Sequence, residues 1–177
     1  QGFDALFTEY PMLLRLMALT VSQWVESCGE FVDRLAIDRP QLKDIEPAID
    51  ATSVVTGVDG ELSDPHEGGR TVLLATFAGG ARVLYKPKDL ATDREMESLL
   101  RILHEHGLRQ RLRVPRALTR TGYGWTSFVR PEDCQDSSEV DEYFRCAGAW
   151  LALFHLLCAT DMHMENLIAS GCDPVPV

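Results

Sequence analysis

The stretch Thr71-Val72-Leu73-Leu74-Ala75-Thr76-Phe77-Ala78-Gly79-Gly80-Ala81-Arg82-Val83-Leu84-Tyr85-Lys86 reads as two strands around a tight turn. Thr71 to Phe77 and Ala81 to Tyr85 are rich in β-branched and aromatic residues, and Ala78-Gly79-Gly80 supplies the turn. Lys86 closes the second strand and Pro87 ends it. Working outward, Thr52 to Val58 is another β-branched run, and Asp59-Gly60 marks a turn. Leu62 to Arg70 is a polar loop with a glycine pair, Gly68-Gly69. Upstream, Leu14, Met17, Val21, Trp24, Val25, Cys28, Val32 and Leu35 recur at helical spacing, predicting a helix from about Pro11 to Ile37.

Downstream, Ala91 to His106 reads as a helix with Met96, Leu99, Leu100 and Leu103 on one face and Gly107 at its end. Val114 to Thr119 and Trp125 to Val129 read as a second hairpin. Ser138, with Asp141 three residues on, suggests a capping box for a helix running to about Cys158. Leu151 to Leu157 is apolar nearly all round and is expected to be buried. Trp24, Trp125 and Trp150 are expected in the core, and so is His155. Thr160 to Glu165 is a polar loop, and a short strand pair follows it. The fold class is α+β with an antiparallel sheet. The expected organisation is a helical segment over 1–50, a strand-rich lobe over 51–130 and the start of a helical lobe over 131–177.

The chain has 177 residues, is 45% apolar and carries a net charge of −10. Such a core and such a charge exclude wholesale disorder, a nucleic-acid coat and attachment to an anionic membrane surface. The charge is uneven: residues 82 to 116 hold nine basic and five acidic residues, a net of +4. That segment is expected to face phosphate. Five cysteines without CxxC spacing argue against a disulfide framework and for a reducing, cytoplasmic setting. No run is long enough to span a bilayer.

Three elements carry chemistry. Asp161-Met162-His163-Met164-Glu165-Asn166 places an Asp five residues before an Asn. This is the spacing at which a kinase-type loop sets a proton acceptor beside a metal ligand. Taken alone, such a pair is equally a solvated loop. Lys86 sits where a strand lysine meets nucleotide phosphates, and a helix with Asp93, Glu95 and Glu97 follows it. Periodicity does not choose among those acids, and Glu97 is slightly favoured. Gly68-Gly69 allows backbone N–H groups to approach an anion, with Arg70, Asp64 and His66 nearby. It is neither a Walker loop nor a dinucleotide fingerprint. The three elements together, in this chain order, outweigh each alone.

Leu62 to Arg70, Val83-Leu84-Tyr85-Lys86-Pro87-Lys88, Tyr123-Gly124-Trp125 and Thr160 to Ala169 together resemble the dehydratase domain of type 2 lanthipeptide (lantibiotic) synthetases, the LanM family. The likeness extends from about Tyr10 to Val177. It implies a lipid- and protein-kinase-like fold that uses ATP and Mg²⁺ to phosphorylate Ser and Thr of a precursor peptide. Phosphate elimination to dehydroamino acids follows, and a separate zinc cyclase acts afterwards. The resemblance makes Lys86 the phosphate-binding lysine and assigns Asp161, His163 and Asn166 to phosphoryl transfer. It places Asp64 and His66 in a functional loop. It also implies a second metal-binding Asp beyond Val177, so the chain is expected to be a piece of a longer enzyme with little turnover of its own. A phosphotransferase for another substrate and a non-catalytic peptide-binding module are the alternatives.

Overall fold

The computed structural model describes residues 2–60, 62–64 and 68–177. The chain forms two compact units, residues 1–87 and 88–177.

In the first unit, helix α1 (Phe3–Glu9) leads into α2 (Pro11–Asp38), which opens on Pro11 as expected of a residue that lacks an N–H. A 3-10 segment, Arg39–Asp44, follows. Strands β1 (Val55–Asp59), β2 (Leu73–Phe77) and β3 (Arg82–Lys86) form an antiparallel meander. The β2–β3 turn uses Gly79 and Gly80, both at positive φ (92° and 86°), so the glycine pair is a backbone requirement. Leu42, Ile45 and Ile49, which follow α2, are buried with Phe31, Phe77 and Val83.

The apolar face predicted for α2 is not its packed face. Leu14, Met17, Val21, Trp24, Val25 and Val32 are all exposed, and Trp24 at 65% is no core residue. Only Cys28 and Leu35 of that face are half-buried, and they join a sheltered stripe that is otherwise Gln23, Ser27, Glu30, Phe31, Arg34 and Asp38. Polar side chains with partners form that stripe, and hydrophobic periodicity is blind to them.

In the second unit, α3 (Ala91–Glu105) ends at Gly107, whose φ is 103°. Strands β4 (Ala117–Arg120) and β5 (Tyr123–Ser127) form the second hairpin, tighter than expected, with only Thr121 and Gly122 between them. Helix α4 (Ser137–Leu156) is capped by Asp136, whose side chain accepts the Glu139 N–H at 3.0 Å, and not by Ser138. Glu139 reaches back to the Gln135 N–H, just before the cap, at 2.7 Å, so a box-like arrangement sits two residues earlier than predicted. Strands β6 (Leu167–Ser170) and β7 (Asp173–Pro176) pair antiparallel, as expected.

The core of this unit gathers Leu100, Leu112, Cys146 and Trp150, with Met96, Leu103, Leu153 and Phe154 around them. Cys146, Trp150 and Leu153 recur at helical spacing and define one inward stripe of α4. Leu151, His155 and Leu156 fall on the opposite side and are exposed, against the expectation of burial. The fold is α+β with antiparallel strands. Among the described residues no helix is long and apolar enough to cross a membrane.

Two substitutions test this packing. Trp150, 2% exposed, stacks on Phe154 with ring centroids 5.0 Å apart. Trp150→Ala is expected to cost about 3–5 kcal/mol in denaturant unfolding. A Cβ on Gly124 would lie 2.5 Å from Leu90 Cδ1 and 2.8 Å from the Leu118 carbonyl oxygen, which cannot give way. Gly124→Ala is expected to cost about 1–3 kcal/mol in the same assay.

Candidate functional site

In the second unit, α4 delivers the chain to the loop 158–163, and a single 3-10 turn, Met164–Asn166, hands it to β6. Asp161 adopts φ 62°, the left-handed region that Asp tolerates better than most residues. Its backbone carbonyl accepts the Asn166 side-chain N–H at 2.8 Å, which fixes that conformation. The Asp161 carboxylate is 85% exposed, and its Oδ1 lies 3.7 Å from His163 Nε2. His163 Nδ1 faces the Glu165 N–H at 3.3 Å, while Asn166 Nδ2 faces Nε2 at 3.2 Å. A neutral imidazole accepts at one nitrogen only, so these two donors compete for it. Asp161, His163 and Asn166 thus form one hydrogen-bonded group. Asn166 Oδ1 accepts no hydrogen bond among the described residues, so this hard oxygen is left over on the same group as the Asp161 carboxylate.

The hairpin after this loop is pinned by Asp173, a buried carboxylate. It takes Arg113 Nε at 2.6 Å and has Arg111 at 3.6 Å. Val177 N–H bonds the Asn166 carbonyl at 3.1 Å and closes the hairpin onto the loop. Sequence reading missed this anchor because its partners lie 60 residues apart. Arg94 and Arg101 are also paired, with Glu95 and Glu105. Much of the positive segment is therefore answered by carboxylates within its own unit. Glu97 is exposed on α3, Glu95 is exposed beside Arg94, and Asp93 is half-buried.

In the first unit, Lys86 ends β3 and is only 6% exposed. A buried ammonium needs partners, and Lys86 has one. Gly68 and Gly69 have φ of 72° and 78°, so both need glycine. The neck of their loop is pinched where Ser63 and Thr71 hydroxyls meet at 2.9 Å. Asp64 is exposed at the loop's described edge, and His66 lies outside the described residues. Arg70 is held by Glu30 of α2: Nε to Oε2 at 2.9 Å, and Nη2 to the other carboxylate oxygen. Arg34, one turn on, bridges Glu30 at 3.3 Å and the Tyr85 hydroxyl. None of Glu30, Arg34 or Tyr85 carried a signal in the sequence.

The hydrogen bonds from Arg70 hold the Glu30 carboxyl below its ordinary range against the opposing effect of desolvation, and the charges of Arg70 and Arg34 add to the lowering.

Two compact α+β units, each offering a loop built for polar chemistry, define the class of the protein. A family model described as a domain of unknown function, DUF4135, matches residues 10–177. The chain belongs to that family. It is also similar to the lacticin 481/lactococcin biosynthesis protein LcnDR2 of Lactococcus lactis subsp. lactis, 25% identical over 119 residues. That alignment covers 63% of this chain and 13% of the relative, so the chain spans a small part of that protein's length. Both matches support the resemblance to the LanM family.

The lowered Glu30 carboxyl sets a pH dependence. Its contribution to stability is complete above the ordinary carboxylate pKa of ~4.3 and is lost as pH falls through the lowered folded value. Thermal melts of wild type and Glu30→Gln are expected to differ at neutral pH and to converge in strong acid. Equal melting points at neutral pH would contradict the pairing.

Proposed function

We propose that this chain is the kinase-like part of a lanthipeptide synthetase dehydratase, which phosphorylates Ser and Thr of a precursor peptide before phosphate elimination. The carrying observation is the closed group of Asp161, His163 and Asn166. Asp161 projects its carboxylate into solvent from a backbone that Asn166 holds in place, as a group that meets an incoming hydroxyl requires. The membership in DUF4135 and the similarity to a lacticin 481 biosynthesis protein support the same reading.

The residue roles follow from their chemistry. Asp161 orients the peptide hydroxyl and accepts its proton. His163, with Nε2 3.7 Å from the Asp161 carboxylate, orients Asp161 or meets the transferring phosphate. Asn166 offers Oδ1, a hard oxygen of the type Mg²⁺ prefers. Lys86 offsets charge on the phosphate chain, and the N–H groups at Gly68 and Gly69 give that chain a close backbone approach. MgATP, when bound, supplies the phosphoryl group. Asp64 and His66 belong to the same functional loop before the hairpin.

The test uses the natural full-length protein, its precursor peptide and MgATP, with products followed by mass spectrometry. Asp161→Ala is expected to slow phosphorylation about 10²–10⁴-fold, as loss of a positioned proton acceptor does. Lys86→Ala is expected to slow it about 10²-fold or more. Dehydration at the wild-type rate in both variants would sink the assignment. Phosphorylation of a small metabolite with no change in the peptide would favour a phosphotransferase of another kind.

A further inference from the structure

The Glu30–Arg70 pair joins α2 to the loop expected to meet phosphate, and its geometry is that of a tether. Both oxygens of Glu30 are engaged by the Arg70 guanidinium, through Nε and Nη2. A guanidinium matched in this bidentate way has its charge answered and its plane fixed. It lies across the glycine turn: a Cβ on Gly68 would meet Arg70 Nη1 at 2.9 Å. Gly69 rests on the same helix, since a Cβ there would meet Gln23 Cβ at 3.3 Å.

The same stretch of α2 also grips β3. Phe31 packs edge-on against Tyr85, with ring centroids 5.4 Å apart. Arg34 donates to the Tyr85 hydroxyl and pairs with Glu30 at 3.3 Å. Tyr85 immediately precedes Lys86. One turn of one helix, residues 30 to 34, is thus attached both to the Gly68–Gly69 turn and to the end of the strand that carries Lys86. The Arg70–Glu30, Glu30–Arg34 and Arg34–Tyr85 contacts run in series through Glu30 and Arg34, so they are coupled.

We propose that Glu30 is a positioning residue: through Arg70 it fixes the Gly68–Gly69 turn relative to Lys86, so that the turn and the lysine form one receptor for a nucleotide's phosphate chain. The phosphate part rests on the function proposed above. The tether itself does not. Arg70 then serves the site by holding the turn in place, and Glu30 reaches the ligand only through it.

The experiment measures two quantities on the whole chain. Amide hydrogen exchange reads the turn, and calorimetric titration with MgATP reads the receptor. In Glu30→Gln, amides from Gly69 to Val72 are expected to exchange about tenfold faster, the effect of losing one charge-assisted hydrogen bond, with the centre of β2 unchanged. MgATP affinity is expected to fall about tenfold for the same reason. Arg70→Lys keeps the charge but not the fork, and is expected to behave like Glu30→Gln. The exchanged pair, Glu30→Arg with Arg70→Glu, is expected to restore both readouts in part, which a general packing defect would not allow. Unchanged exchange in Glu30→Gln overturns the tether. Faster exchange with wild-type MgATP affinity overturns the positioning role. If the wild-type chain binds no MgATP while the variant's turn loosens, the nucleotide reading of the site falls and the tether stands.

Discussion

The first unit depends on a carboxylate meeting a guanidinium across 40 residues of chain. Without Arg70, Glu30 would keep only Arg34, one turn away on its own helix, and α2 would lose its bidentate link to the loop before β2. With it, the stripe that should have been apolar becomes polar and specific. A helix as rich in leucine and methionine as α2 thus leaves much of its apolar surface exposed while Glu30, Arg34 and Asp38 are sheltered. The apolar side chains on its other faces contribute little to the packing of this unit, whose buried residues come from Phe31, the 3-10 segment and the strands.

The second unit uses the same device once more. Asp173 is buried at the start of β7 and answered by Arg113, with Arg111 nearby. A buried carboxylate would otherwise be expelled or protonated. Here it fixes the β6–β7 hairpin, and the hairpin holds the Asn166 carbonyl through the Val177 N–H. The chemistry-bearing loop is exposed, but its two ends are not loose: α4 fixes one and the anchored hairpin fixes the other.

The strands, the turn glycines and the loop from Asp161 to Asn166 were legible because their signals are local. A hairpin announces itself in Gly79-Gly80, a helix end in Gly107, and the loop in the spacing of Asp161 and Asn166. What was not legible was long-range pairing. Nothing near Glu30 marks Arg70 as its partner, and nothing near Asp173 marks Arg113. Periodicity also misjudged α2 and the end of α4, because it equates apolar with buried. In α4 the inward stripe of Cys146, Trp150 and Leu153 suffices to close the core, so Leu151 and Leu156 are left outside. The cap of α4 lies at Asp136 and not Ser138: the Asp136 carboxylate takes the Glu139 N–H, and Glu139 in turn takes the N–H of Gln135 before the cap, so the two acids hold each other's backbone.

The loop itself shows why a weak motif became a stronger one in three dimensions. An Asp and an Asn five residues apart occur often in any chain. What is uncommon is that the Asn side chain bonds the Asp backbone while that Asp holds a left-handed conformation. That conformation is unfavourable for a residue with a Cβ, and the Asn166 bond offsets it. The geometry commits Asn166 Nδ2 to a structural role, which leaves its oxygen as the only part of the amide able to meet a cation. One residue thereby serves two ends: its nitrogen holds the shape of the loop that presents the Asp161 carboxylate, and its oxygen stays uncommitted among the described residues. Replacing Asn166 by Asp would keep a hard oxygen and remove the donor, so loss of loop geometry and loss of cation binding are separable at this position.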